Sequence, residues 1–147
     1  MSRPLRLAVR ALILNEGKLL LVNAWKDKRS VLLCAPGGGV EMHQSLPDNL
    51  KREVYEETGL TVRVGDVALV NEFHAPERDF HQVDIYFRCQ ITGGIVTDEW
   101  ADPEGVVHTR RWVSESEISS LQVKPDSLAA VAWGTGITYD PLEPLVR

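Results

Sequence analysis

Long apolar runs are missing from this sequence. None approaches the roughly 18 residues that a membrane-crossing helix needs. The N-terminus also has no apolar leader core, so neither a membrane span nor a secretory signal is expected. Cysteine is scarce: Cys34 and Cys89 are the only two, each alone in a strand-like run. Without a secretory signal, two buried thiols are expected rather than a disulfide. These absences point to a cytoplasmic protein with no membrane partner. No basic run stands out, and the formal net charge is −5. That argues against long nucleic acid, which demands many phosphate contacts. A small polyphosphate stays open, because a bound metal inverts the local sign. Internal repeats and domain boundaries are absent as well.

What is present fits one soluble domain over residues 1–147, with 44% hydrophobic and 25% charged residues. Its centre is the stretch from Pro36 to Leu60. Three glycines, Gly37 to Gly39, precede a helix whose start is written out. Ser45 is the expected N-cap, Pro47 lies in the first turn, and Asp48 follows three residues after the cap. Gly59 suits the left-handed residue that ends such a helix. At about 100° per residue, Leu46, Leu50 and Val54 form one apolar stripe. Glu57 projects between Leu46 and Leu50, Glu53 lies beside Leu46, and Glu56 is a little further round. Lys51, Tyr55 and Thr58 are expected to point away.

A solvated acidic face is the plain reading of Glu53, Glu56 and Glu57. It leaves two like-charge pairs at helical spacing, each costing a few tenths of a kcal/mol, and partial burial adds to that. A divalent cation removes the repulsion. Carboxylates with a carbonyl from the glycine turn form an all-oxygen set, suited to Mg²⁺ or Mn²⁺ rather than zinc.

Gly38, Arg52, Glu53, Val54, Glu56, Glu57, Gly59 and Leu60 fall on the box G-x5-E-x7-R-E-U-x-E-E-x-G-U, with U a bulky aliphatic residue. In this the chain resembles the Nudix hydrolases. One position departs: the first glutamate is Gln44 here. Glutamine keeps the shape and hydrogen bonding but not the charge. The resemblance implies an α/β/α sandwich with a mixed β-sheet. It also implies metal-dependent hydrolysis of a nucleoside diphosphate linked to another group. Under it, Gly37 supplies a backbone carbonyl and Glu53, Glu56 and Glu57 supply carboxylates to the metal. Arg52 anchors the junction of loop and helix. Relatives often place a general base in a late loop, at a position held here by Val106. Glu104 is the nearest carboxylate and the first choice, Glu99 and Asp102 are alternatives, and Glu56 or Glu57 can take the role instead.

Pro76, sixteen residues after Leu60, tilts the substrate toward an ADP-ribose-like nucleotide sugar, as in a subgroup of the family. Phe73 and His74 in the same stretch, and Arg29 in the polar loop Lys26–Ser30, are the candidate substrate contacts. The plainer reading, and the favoured one, takes Phe73, Phe80 and Trp25 as core aromatics and the loop as a solvated hairpin tip. A (d)NTP pyrophosphohydrolase and a non-catalytic nucleotide or metabolite sensor are the alternative functions. A homodimer is the assembly that analogy suggests.

The remaining chain predicts strands over Arg6–Leu14 and Lys18–Trp25 around an Asn15-Glu16-Gly17 turn, then a short one over Val31–Cys34. Thr61–Phe73 reads as two strands with a turn near Gly65-Asp66. Further strands are expected over Val83–Ile91 and Val106–Val113. A short helix should open at Ser114, a last one should span Pro125–Trp133, and a Pro-containing tail should follow from Thr135.

Overall fold

A computed structural model describes residues 3–146. Strand β1 (Arg6–Asn15) turns into β2 (Lys18–Asn23). Glu16 and Gly17 both take positive φ, 53° and 76°, the backbone of a tight two-residue hairpin turn. β3 (Leu33–Cys34) and β4 (Gly37–Gly39) lead into helix α1 (Leu46–Thr58). β5 (Thr61–Ala75) and β6 (Phe80–Gly93) form a long hairpin around a 3₁₀ turn at Pro76–Arg78. Then come β7 (Arg110–Ser114), α2 (Glu115–Ile118), α3 (Leu128–Ala132), β8 (Thr138–Tyr139) and β9 (Glu143–Pro144).

The strand order is β3-β2-β1-β6-β5-β8, with β4 on β1, β7 on β2 and β9 on β5. β1 and β6 pair in parallel from Arg6↔Gln82 to Ile13↔Cys89, while β5 and β6 run antiparallel. The sheet is therefore mixed, with helices on both sides. Leu50 and Val54 of α1 pack with Val9, Ala11, Ile13 and Leu20 on one face. Ile118 of α2 and Leu128, Val131 and Ala132 of α3 pack with Leu12, Leu19, Leu69 and Tyr86 on the other. β1 thus buries both faces, as a central strand must, rather than the single face that Leu7, Val9, Ala11 and Ile13 suggest. Both cysteines are free thiols. No helix of the described residues is long and apolar enough to cross a membrane.

Three expectations change. The Gly65-Asp66 turn is a β-bulge: register slips between Val64 and Val67, but β5 runs on. A Cβ on Gly65 would lie 2.9 Å from the Arg88 carbonyl oxygen, so the two strands stay in contact through the irregularity. The strand expected from Val106 begins only at Arg110. The last helix shrinks to Leu128–Ala132. The Pro-containing tail carries two short strands, β8 and β9, which add to β5 in parallel.

Candidate active site

The box helix forms as its caps dictate. Ser45 Oγ accepts the Asp48 backbone N–H at 3.1 Å, and Gly59 ends the helix at φ 78°. Thr58 is fully buried instead of outward. Its hydroxyl donates to the Val54 carbonyl at 2.7 Å and accepts the Leu60 N–H at 3.1 Å, tying the last turn to β5.

The glycines bring β4 close to both β1 and the helix. A Cβ on Gly37 would sit 1.9 Å from the Val9 carbonyl oxygen, and one on Gly38 would sit 2.6 Å from Glu53 Oε2. The Gly37 N–H donates to Glu57 Oε1 at 3.2 Å. Gly37→Ala drives a methyl into paired backbone that no rotamer change relieves. We expect it to lower stability by about 3 kcal/mol, the upper part of the range for overpacked sites. An unshifted thermal melt would contradict that packing.

Glu53 and Glu57 are both buried. Burial raises the Glu57 carboxyl well above the ordinary carboxylate range, against the opposing pull of Arg10, and Glu53 adds to the rise. Burial also raises Glu53; Arg52 opposes it and Glu104 reinforces it. Two carboxyls in contact away from water cannot both ionise freely. Such a pair could hold a cation.

Arg52 bridges the loop and the helix. Its Nη1 is 3.1 Å from Glu53 Oε1 and 3.8 Å from Glu41 Oε1, and its Nη2 donates to Asn49 Oδ1 at 2.7 Å. Its buried Nε has no partner among the described residues. Asn49 was not singled out from sequence. It is fully buried, accepts the Glu41 N–H, and donates to the Gln44 and Ser45 carbonyls, so it knots the loop to the helix. Its one signal was an amide among helix-start residues, three before Arg52. The Gln44 side chain is exposed.

A cavity of about 510 Å³ opens beside these groups, within the size range of small-ligand sites. Gly37, Gly38, Glu53, Glu57, Glu104 and Phe73 line it; Glu56, Arg52, His74 and Arg29 do not. Glu56 is half-buried, with its carbonyl accepting the Trp100 indole N–H at 2.8 Å. His74 packs against His81, ring centres 5.9 Å apart. Arg29 lies exposed in its loop and pairs with Asp27 at 2.7 Å, as a solvated hairpin tip would. Among the described residues, no three His, Cys, Asp or Glu side chains are gathered at metal-holding spacing. The fold brings together two of the three box carboxylates.

Glu104 reaches the cavity on a pinned loop. Trp100 bonds Glu56 and meets the Tyr55 ring edge-on at 5.3 Å. Arg110 Nε donates to the Glu57 carbonyl at 2.5 Å. Asp102 also lines the cavity, but its carboxylate accepts the N–H groups of Glu104, Val106 and Val107. Glu99 is exposed and outside the lining.

The cations at the cavity went unread in the sequence. Arg6 and Arg10 both line it, on the even-numbered face of β1. Arg10 Nε lies 3.3 Å from Asp84 and its Nη1 donates to the Ala35 carbonyl at 3.2 Å. Burial opposes the charge of Arg10, but Asp84 and lesser neighbours, Glu57 among them, outweigh it and raise its pKa. The signal available was the strand parity that places residues 6 and 10 together.

A family model described as NUDIX domain matches residues 4–134. The ADP-ribose pyrophosphatase of Methanocaldococcus jannaschii is 32% identical over 89 residues, 59% of this chain and 52% of that protein. The chain thus spans about half the length, or less, of the curated relatives it matches. The crystal structure of a MutT protein from Methanosarcina mazei Go1 superposes with a TM-score of 0.68 at 29% identity, covering 90% of this chain and 93% of that one. A MutT NUDIX hydrolase from Burkholderia pseudomallei gives 0.74 at 16% identity, over 91% of this chain and 100% of the other, a likeness of fold alone.

Proposed function

This chain belongs to the NUDIX domain family, and from that premise we propose that it is a divalent-cation-dependent hydrolase of phosphorus anhydrides. Its substrate is a nucleoside diphosphate linked to a second group, with an ADP-ribose-like nucleotide sugar first in line. One observation carries the reading: Glu53 and Glu57 are buried together at a cavity that Arg6 and Arg10 also line. The donor set fits Mg²⁺ or Mn²⁺, since it is all oxygen and its mutual repulsion is relieved by positive charge. Glu53 and Glu57, with a carbonyl of the Gly37–Gly38 turn, would hold the cation; Glu56 joins them only by turning inward. When bound, it neutralises the diphosphate and lowers the pKa of an attacking water.

The chain's own groups do the rest. Asn49 and Arg52 fix Glu53. Arg10, anchored by Asp84, faces the diphosphate with a permanent charge. Glu104 takes the proton of the water whose oxygen bonds to phosphorus. The bridging phosphorus–oxygen bond breaks, and its electron pair stays on the released phosphate oxygen. The name of the Methanocaldococcus jannaschii relative supports the nucleotide-sugar choice. The proposed partner is this small molecule, in the cytoplasm; long nucleic acid is disfavoured by the charge of −5.

A panel of ADP-ribose, other nucleotide sugars and (d)NTPs, with Mg²⁺ or Mn²⁺ and with excess chelator, tests this. AMP and ribose 5-phosphate should appear from ADP-ribose, and chelator should abolish them. Turnover in chelator, or on no substrate, overturns the proposal. Gln44 adds a second expected result. Gln44→Glu should lower the cation concentration needed for half-maximal rate without creating activity from none. An inert natural protein with an active variant would favour the sensor.

A further inference from the structure

Glu53, Glu57 and Glu104 line the cavity. So does a segment that lies beyond the family match at residues 4–134. β8 and β9 lie along β5, with Val70↔Tyr139, Phe73↔Glu143 and His74↔Pro144 in register. Between them Asp140 accepts from the Ser127 hydroxyl at 2.6 Å and the Asn71 amide at 3.1 Å. The same amide donates to Glu143 Oε1 at 3.2 Å. The Leu145 N–H donates to the His74 carbonyl at 2.8 Å. The segment then reaches the loop after β2, where the Trp25 indole N–H donates to the Val146 carbonyl at 3.2 Å. β2 and β5 flank the central pair β1–β6, so this stretch crosses the cavity from one side to the other. Glu143 to Val146 and Trp25 all line it.

We propose that residues 140–146 form a strap that selects the group beyond the diphosphate, and that this group is the base and ribose of a nucleoside. The chemistry of the wall fits that shape. Phe73 and Phe80, ring centres 6.0 Å apart, present apolar surface for a planar ring. Pro144, Leu145 and Trp25 extend it. Glu143 offers acceptors for ribose hydroxyls or an exocyclic amine, and Asn71 fixes its position. The strap belongs to neither hydrophobic core. The inference rests on Glu53 and Glu57 marking the phosphate end.

Two variants test it. Leu145→Pro deletes the N–H that fastens the strap to β5, and Glu143→Gln removes charge with shape retained. Thermal melts check folding. On the preferred substrate of the panel, both should raise KM by about tenfold with kcat within about threefold, the pattern of lost uniform binding. Inorganic pyrophosphate, too short to reach the strap, should inhibit wild type and variants equally. AMP binding by calorimetry, without added metal, should weaken by the same factor as KM rises. Unchanged KM and unchanged AMP affinity in both folded variants overturn the strap. An equal loss of pyrophosphate and AMP affinity also overturns it, since the damage would then be general. If the wild type turns over nothing, the proposed hydrolysis fails by itself. AMP affinity then decides the strap alone: weaker binding in the variants supports it, and equal or absent binding overturns it.

Discussion

Glu57→Gln should reduce kcat on the order of 10²-fold or more, the loss expected when a cation-holding carboxylate is removed, while leaving the protein as stable as before or more so. The two effects part company because, in the proposed role, Glu57 trades stability for chemistry. Its carboxyl is raised in the fold, first by burial and then by Glu53, with Arg10 opposing. A carboxyl whose pKa is raised by folding makes no unfavourable contribution below its ordinary range. Stability is lost as pH rises through the shifted value, because the unfolded chain ionises more readily. Glutamine carries no such penalty. Its Oε1 can still accept the Gly37 N–H, and its amide can still donate toward Glu53. In chelator, the melting temperature of Glu57→Gln should match wild type in acid and exceed it at neutral pH. Full activity in the variant, or a melting temperature that falls at neutral pH, would remove Glu57 from the role.

The second large effect is expected at Glu104. A general base contributes ~10²–10⁴-fold, so Glu104→Gln should lower kcat by about that factor with little change in KM. Glu99→Gln is the comparison, because Glu99 is exposed and outside the cavity lining. Asp102→Asn is a poor comparison: three backbone N–H groups depend on that carboxylate, and its loss would disturb the loop carrying Glu104. A crippled Glu99→Gln beside a normal Glu104→Gln would move the base to Glu99. Two normal variants would return the role to the box helix.

The box helix was legible because its determinants are local. Ser45 and Gly59 set its ends within a turn of the chain, and helical spacing places Glu53 and Glu57 together without knowledge of anything distant. Glu56 shows where that logic stops. The wheel puts it next to the others, but the cavity edge depends on β4, which no wheel contains. Thr58 fails for a related reason, since its outward position on an isolated helix ends where the chain bends into β5. Strand boundaries suffered most where one residue was made to stand for a turn. Gly65 looked like a break, yet β6 carries no matching interruption and the pairing continues across the bulge.

The cavity cations and the strap were illegible for a different reason. Arg6 and Arg10 line the site only because β1 lies in parallel beside β6, a pairing between residues more than seventy positions apart that no local pattern reports. The segment after Thr135 has prolines and little alternation, so it reads as a tail. It becomes β8 and β9 only through the free edge of β5.

The pairing order also divides the cavity by how tightly its walls are held. β1 and β6 lie inside the sheet, bonded on both edges and covered on both faces, so freeing their backbone requires most of the fold to open. The strap rests on short two-residue pairings at the rim, with Leu142 and Val146 partly in water, and can detach by local opening. The amides of β1 and β6 should therefore exchange slowly and those of the strap fast, a contrast that hydrogen exchange would read. One wall of the proposed site would then hold its shape while the other could adjust to the ligand that arrives.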